Sequence, residues 1–200
     1  MQDSAATAWR NVLKDITATR EAAESWRQTR YRFAHALALA LAGPGKNGEP
    51  AISGSVLYAV WLEWGLLYVG QTNEAERRLR DLAIGESHHL ANTFPPEIWN
   101  RVVVISWPQL PEAEILIQKF GREAVGLGLE HRIQADLQPL ANASTRKRDG
   151  TWRSVDWSKS RSVGAQTGVQ IDVLFAAVKK AWDDPSNSAV CRVIHPGDLL

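Results

Sequence analysis

Four side chains in this sequence have types and a spacing that could serve to cleave a phosphodiester bond. Tyr58 and Tyr68 lie ten residues apart, Arg78 follows ten residues after Tyr68, and Glu130 comes further along the chain. An arginine matches a phosphate group in fork geometry and stays charged during a reaction. A carboxylate can hold one Mg²⁺ ion, which polarises the phosphate and stabilises the leaving oxygen. A tyrosine hydroxyl can orient a water molecule, or deprotonate it when a metal or an arginine lowers the tyrosine pKa.

Each of these residues also has a simpler explanation when it is considered alone. A tyrosine in a strand is usually a packed ring. Arg78, with its neighbours Arg77 and Arg80, would be the solvated face of a helix. Glu130 would be an exposed helical carboxylate. The combination, rather than any single residue, therefore carries the hypothesis of a site.

Short strands and helices are predicted to position these side chains. Both tyrosines lie in a predicted hairpin formed by "SVLYAVWLEW" and "GLLYVGQT", joined around residues 63–65. The segment "NEAERRLRDLA" predicts a short helix that carries Arg78, with Asn73 as its cap. The β-branched run "RVVVISW" predicts a third, central strand. Two helices, "PEAEILIQKFGREAVG" and "LGLEHRIQADLQP", are expected to follow, the second with Glu130. These elements predict an α/β (α+β) protein with a small three-stranded sheet flanked by helices.

The two ends of the chain are predicted to be extensions of this central part. Residues 5–42 have helical spacing, with Ser4 as a possible cap, and "GPGKNGEP" reads as a linker after an N-terminal extension over residues 1–46. A polar loop is expected over residues 85–99. Residues 144–200 are predicted to hold a basic loop, an amphipathic helix in "VQIDVLFAAVKKAW" and a tail that could add a short strand.

The motifs of residues 54–143 resemble those of the GIY-YIG nuclease superfamily. "VLY" at 56–58 stands where the family has Gly-Ile-Tyr, and "YVG" at 68–70 stands where it has Tyr-Ile-Gly. "YVGQT…ERRLRDL" places Arg78 at the family's catalytic arginine, and "LEHRIQADLQPLAN" contains a glutamate and a later asparagine. The first motif departs from the family pattern, because Val-Leu replaces Gly-Ile. Since only the tyrosine of that motif acts chemically, this change weakens the resemblance more than the mechanism.

The resemblance implies a mixed sheet in the GIY-YIG arrangement and a role for each matched residue. Tyr58 would be the general base or would position the attacking water, and Tyr68 would orient phosphate or water. Arg78 would clamp the phosphate and offset charge in the transition state. Glu130 would be the sole protein ligand of Mg²⁺ or Mn²⁺.

Two matched residues are expected to support the site rather than react. Gly70 would let the backbone pass close to the site, and Asn142 would hold the surrounding structure. DNA contacts are predicted for a larger set of cationic and aromatic residues, which consists of Arg77, Arg80, His88, Arg146, Lys147, Arg148, Trp152 and Arg153. The alternative for residues 144–161 is a solvated loop pinned by two buried tryptophans.

Composition narrows the remaining possibilities. The 200 residues carry a formal net charge of +1, so bulk charge identifies no partner. One cysteine excludes an internal disulfide and favours the cytoplasm. No membrane partner is expected, because the longest apolar run, Phe33–Ala42, is too short to span a bilayer.

We therefore expect a metal-dependent DNA endonuclease of the bacterial restriction or defence type, for which cleavage of both strands with one site per chain would favour a homodimer. Three alternatives stay open. The first is a non-catalytic nucleic-acid-binding module that retains the nuclease fold, and the second is a repair or structure-specific nuclease. The third is an unrelated α/β domain whose tyrosine hairpin only packs. RNA is an alternative substrate.

Overall fold

The computed structural model describes residues 11, 13–45, 48–85, 90–142, 146–154, 156 and 159–199. Its centre is a sheet in which four strands of the described chain are hydrogen-bonded in the order β2-β1-β3-β4. These strands are β1 (Val56–Leu62), β2 (Gly65–Thr72), β3 (Arg101–Ile105) and β4 (Cys191–Ile194). Every pairing is antiparallel.

The sheet confirms a mixed α/β architecture and differs from the prediction in strand number and direction. A three-stranded mixed sheet was expected, but β4 from the tail pairs with β3 and all four strands are antiparallel. Burial explains the added strand. Val102, Val103, Val104 and Ile105 are all fully buried. A strand buried in this way needs a neighbour on both sides to satisfy its backbone groups.

Helices cover both faces of the sheet. On one face, alternate residues of β1 pack against α1 (Arg20–Ala42) and α2 (Ala75–Ile84). On the other face, the intervening residues pack against α5 (Arg122–Leu137) and α7 (Asp172–Asp183). The remaining helices of the described chain are α3 (Leu90–Thr93), α4 (Ala113–Phe120) and α6 (Val163–Gly168). The three layers explain why β1 is apolar at almost every position.

Helix α1 begins later than the sequence pattern predicted. Thr19 is its N-cap, and the Thr19 side chain accepts a hydrogen bond of 3.0 Å from the backbone N–H of Ala22. A turn at residues 17–19 separates α1 from the helical residues 13–16, so the predicted continuous helix over residues 5–42 is interrupted. Ser4, the predicted cap, lies outside the described residues. The helix ends at Ala42, just before the predicted linker.

The C-terminal third packs directly on the central part of the molecule. Helix α6 lies so close to α5 that a Cβ atom on Gly128 would lie 3.1 Å from the backbone nitrogen of Gly168. Arg132 on α5 donates hydrogen bonds to the carbonyl of Gly168 and to the carboxylate of Asp172, at 2.9 and 2.6 Å. The predicted C-terminal extension thus contributes a strand and two helices to the layers around the sheet.

Three local predictions require correction. The boundary between α4 and α5 falls at Gly121, where φ is +80°, rather than near residue 126. Asn73 does not cap α2 in the described structure, because its side chain accepts a hydrogen bond from Ser55 instead. The expected polar loop contains α3 and a short 3₁₀ turn at Pro96–Ile98.

None of the helices formed by the described residues combines the length and the apolar character needed to cross a membrane.

Candidate active site

The register of the β1–β2 hairpin brings the two tyrosines together. Tyr58 lies directly opposite Gly70, and Tyr68 lies two residues before Gly70 on the same strand. The ring centroids of Tyr58 and Tyr68 are 6.1 Å apart, with 31° between the ring planes. A hydrogen bond joins their side chains. The hairpin therefore presents the tyrosines as a pair.

Gly70 makes this pairing possible because it has no side chain. A Cβ atom at Gly70 would lie 2.7 Å from both Cζ and Oη of Tyr58, and 2.8 Å from Cε1 of Tyr68. These distances are shorter than real Cβ contacts allow. The requirement for glycine here is steric, and it concerns the phenol groups rather than the backbone conformation.

Burial makes both phenols harder to ionise than an exposed tyrosine. The Tyr58 side chain lies almost entirely inside the protein, with 1% of its surface exposed, whereas Tyr68 is half-buried. Burial raises the pKa of Tyr58 well above its usual value, and the neighbouring Tyr68 and Glu130 raise it further, while Arg78 lowers it. Burial and the charge of Glu130 also raise the pKa of Tyr68, and Arg78 again acts in the opposite direction.

Arg78 is the arginine of α2 that faces the tyrosine pair. Helix α2 buries Ala75 and Leu79 against the sheet, and Arg78 lies beside that buried face. Its Nε atom is buried and has no hydrogen-bond partner among the described residues. Arg77, by contrast, is exposed and donates to Glu74 over 2.8 Å, and Arg80 is exposed. The positive charge of Arg78 is therefore the one directed towards both phenols.

Glu130 reaches the same region from α5. Its Oε1 atom accepts a hydrogen bond of 3.0 Å from Nε2 of Gln134, one helical turn further on. The carboxylate also accepts the backbone N–H of Gln71 on β2. Burial raises the pKa of Glu130 to about 7, and the Gln71 N–H, the charge of Arg78 and the Gln134 amide partly offset that rise. Glu130 is thus a desolvated carboxylate whose charge acts on both tyrosines.

Polar side chains cover the outer edge of β2 beside Glu130. Asn142 accepts the backbone N–H of Val69 at 3.0 Å and donates to the carbonyl of Val69 at 2.8 Å. Gln134 donates to the same carbonyl at 3.2 Å. Edge strands expose unpaired backbone groups, and these side chains satisfy them. Asn142 therefore binds the backbone of β2 directly, and its support of a functional site stays a prediction.

Nothing in the sequence indicated that Gln71 and Gln134 belong to this region. A glutamine on a helix is usually an exposed polar residue, and an N–H of the backbone leaves no mark in the sequence. The one available signal is the four-residue spacing of Glu130 and Gln134, which places two polar side chains on one face of α5.

One divalent ion fits the donor set that these residues offer. Mg²⁺ is often bound through one or two carboxylates, with water and substrate phosphate completing its octahedron. Glu130 supplies one such carboxylate. Within the described part of the chain, no three His, Cys, Asp or Glu side chains come together as a ready-made metal cluster. Glu130 is accordingly the residue that could hold the ion.

The predicted DNA-binding residues differ in how far their side chains are exposed to solvent. Arg146 donates hydrogen bonds to the carbonyls of Gln138, Pro139 and Gly150, so its guanidinium is occupied inside the chain. Trp152 is half-buried beside it. The exposed members are Arg77, Arg80, Lys147, Arg148 and Arg153. His88 lies outside the described residues.

An open groove of about 790 Å³ lies elsewhere, between α1, residues 44–53 and β4. Leu39, Cys191 and Arg192 are among its lining residues. None of the predicted site residues that the structure describes lines this groove.

Comparisons with known proteins return no match from family models, from curated proteins or from solved structures.

Proposed function

We propose that this protein hydrolyses phosphodiester bonds in DNA with the help of Mg²⁺ or Mn²⁺ at Glu130. One observation carries the proposal. Arg78 and Glu130 come from two different helices, and the charges of both shift the pKa values of the paired Tyr58 and Tyr68. Gly70 leaves no room for a Cβ atom beside these two rings. Packing alone explains a tyrosine pair. It does not explain why an arginine with a buried, unpaired Nε atom and a desolvated carboxylate both lie close enough to shift the pKa values of the two tyrosines.

The chain's own residues have distinct parts in this proposal. Arg78 binds the phosphate through its guanidinium and stabilises the charge that develops in the transition state. Tyr68, which is half-buried, orients the attacking water or a phosphate oxygen by hydrogen bonding. Tyr58 holds the Tyr68 hydroxyl in place through their hydrogen bond. Glu130 would hold a divalent ion, which would polarise the phosphate and stabilise the leaving oxygen.

The raised tyrosine pKa values favour one of the two roles expected for Tyr58. A general base must lose its proton near the working pH. Burial acts against this loss for Tyr58. We therefore assign Tyr58 to orientation, rather than to removal of a proton from water. A divalent ion held by Glu130 would lower the pKa of a bound water, so that the proton of the attacking water would pass to solvent.

The biological setting is part of the same proposal. A restriction or defence-type role rests on the resemblance to GIY-YIG nucleases together with the extensions around the motif region, and it is an analogy. One site per chain and cleavage of both strands favour a homodimer. The single cysteine favours a cytoplasmic location.

The second candidate is a nucleic-acid-binding module that retains this arrangement without cleaving. Two observations favour it. Tyr58 has only 1% of its surface exposed, and the carboxylate of Glu130 already accepts hydrogen bonds from Gln134 and the backbone of Gln71. In that case Glu130 covers the edge of β2, and Tyr58 fills the core.

Incubation with DNA separates the two candidates. The purified protein is mixed with plasmid and with genomic DNA, in Mg²⁺, in Mn²⁺ or in a chelator, and the ends of the products are mapped. A hydrolase gives products only with metal, and discrete fragments indicate a preferred sequence. Retention of DNA in a binding assay, with no products from either DNA in either metal, supports the binding module instead.

A further inference from the structure

The basic segment that follows Asn142 is a preformed β-hairpin. Arg146 and Trp152 form an antiparallel bridge, and the backbone N–H of Lys147 donates to the carbonyl of Thr151 at 2.9 Å. The N–H of Gly150 donates to the carbonyl of Lys147 at 3.0 Å, which closes the turn. This turn needs a residue with positive φ, and Gly150 supplies it at +82°. We call residues 146–152 the basic hairpin.

A carboxylate stabilises the turn of the basic hairpin from inside. Oδ1 of Asp149 accepts the backbone N–H of Thr151 at 3.0 Å and the Thr151 hydroxyl at 2.6 Å. These hydrogen bonds lower the pKa of Asp149. The negative charge of Asp149 therefore stabilises the turn. The turn has these hydrogen bonds in the absence of a ligand.

Arg146 binds the basic hairpin to residues 138 and 139, which precede the residues that pair with β2. Its guanidinium donates to the carbonyls of Gln138 and Pro139, at 3.2 and 3.0 Å, and stacks 5.4 Å from the ring of Trp152. The residues just beyond Pro139 are bound to β2, because the N–H groups of residues 140 and 141 donate to the carbonyls of residues 66 and 67. The hairpin is thus tied through one short segment to the candidate active site.

Lys147 and Arg148 are the cations that the basic hairpin presents to solvent. Both side chains are exposed, and neither has an ion-pair or hydrogen-bond partner in the part of the chain that the structure describes. Exposed cations on an ordered element suit the phosphate backbone of DNA, because each neutralised phosphate releases condensed counterions. An ordered element also loses little conformational entropy on binding.

We propose that the basic hairpin is a preformed phosphate-binding element in which Lys147 and Arg148 contact the DNA backbone and Arg146 acts as an anchor. This inference rests on the proposed action on DNA, and it assigns different tasks to cations that the sequence treated alike. Because Arg146 ties the hairpin to the segment beside β2, the contacted phosphates lie at a fixed position relative to Tyr68 and Glu130. Arg146 is a positioning residue and not a contact.

The salt dependence of binding distinguishes a contact from an anchor. Affinity for a fluorescently labelled DNA duplex is measured in chelator over about 50 to 200 mM salt. The slope of log K against log salt is negative, and each lost phosphate contact reduces its magnitude by about 0.9. We expect Lys147→Gln/Arg148→Gln to reduce the magnitude of this slope by about 1.8. The matched control is Arg122→Gln/Lys180→Gln, which removes two exposed cations on α5 and α7 and should leave the slope close to that of the unaltered protein.

Arg146→Met tests the anchor. We expect DNA binding several-fold weaker with an unchanged salt slope, since ordering of the loosened hairpin then accompanies binding. In the free protein, trypsin should cut faster after Lys147 and Arg148 in this variant than in the unaltered protein. If Arg146→Met reduces the magnitude of the slope by about 0.9, Arg146 contacts a phosphate, and its assignment as an anchor is contradicted.

Failure of this inference differs from failure of the proposed function. If the unaltered protein cleaves DNA while Lys147→Gln/Arg148→Gln keeps the full salt slope, the hairpin assignment is overturned and the hydrolase stands. A slope loss in a protein that never cleaves DNA supports the hairpin and overturns the hydrolase. A protein that binds no DNA contradicts both.

Discussion

Gly70 determines whether the two tyrosines can meet. A methyl group there would lie 2.7 Å from Cζ and Oη of Tyr58, and both phenols would have to move. We expect Gly70→Ala to lower the free energy of unfolding by about 1–3 kcal/mol, because overpacking a buried contact costs that much. The near-ultraviolet circular dichroism of the rings should change as well.

Gly197→Ala is the control for this substitution, because no atom lies within 4 Å of the added Cβ. Thermal unfolding of the two variants gives the comparison. An unchanged unfolding temperature for Gly70→Ala, with unchanged ring signals, would contradict the close approach of Tyr58 to Gly70.

Glu130 should make stability fall as pH rises. Burial raises its pKa from about 4.5 to about 7, so the folded protein binds this proton more tightly than the unfolded chain does. The contribution is complete below about pH 4.5 and is lost as pH rises through about 7. Glu130→Gln removes the titration, so the variant should be more stable than the unaltered protein at high pH by on the order of 3 kcal/mol, in chelator.

Denaturant unfolding at pH 5 and at pH 8 measures this difference. The control is Glu123→Gln, which changes an exposed carboxylate on the same helix. A stability gap between Glu130→Gln and the unaltered protein that stays constant from pH 5 to pH 8 would show that Glu130 is not desolvated.

At the residue scale, the sequence indicated which side chains lie near one another better than it indicated their surroundings. The spacing of Tyr58, Tyr68 and Arg78 led to side chains that interact in the structure. The partners of Glu130 could not be found in the same way, because a backbone N–H has no sequence signature and Gln134 resembles any polar residue of a helix. The high pKa values of the tyrosines depend on burial, which only the tertiary packing determines.

At the scale of elements, Glu130, Gln134 and Asn142 all form hydrogen bonds with the backbone of the edge strand β2. Asn142→Ala would leave the N–H of Val69 without its partner, and an unsatisfied buried group costs about 1–3 kcal/mol. We expect faster hydrogen exchange at the Val69 amide and a lower unfolding free energy. Asn92→Ala is the control, because Asn92 donates to the carbonyl of Gly85 at an exposed position. Equal exchange at Val69 in both variants would contradict the covering role of Asn142.

Element boundaries were predicted well where local chemistry decides them and poorly where distant contacts do. The β1–β2 hairpin and the end of α1 before Gly43 follow from alternation and from glycine and proline. A short strand was expected as an addition from the tail, but its place in the sheet was not. Strand β4 depends on pairing with β3, more than eighty residues earlier in the chain, and its four residues carry no strong alternating pattern. The direction of a strand is likewise a property of the sheet and not of the segment.

The whole molecule should unfold as one unit, because the C-terminal third completes the layers around the sheet. Arg132 joins α5 to residues 168 and 172, and Lys179 forms an ion pair of 2.8 Å with Asp136. We expect Arg132→Met to shift a single cooperative transition to lower denaturant, by about 1–2 kcal/mol for the lost hydrogen bonds. Hydrogen exchange in β2 and in α7 should accelerate together.

Arg122→Met, an exposed arginine on the same helix, controls for the change in charge. Two separate unfolding transitions, or faster exchange confined to α7, would mean that the C-terminal third is an independent unit.

The most direct test of a metal-dependent nuclease centred on Glu130 is the single-turnover rate of DNA cleavage in Mg²⁺. We expect the unaltered protein and Glu123→Gln to cleave at similar rates and neither to cleave in chelator. Glu130→Gln should bind DNA as tightly but cleave at least about 100-fold more slowly, because the ion's contribution of several kcal/mol to the transition state is lost. Cleavage by Glu130→Gln at the unaltered Mg²⁺-dependent rate would contradict this assignment.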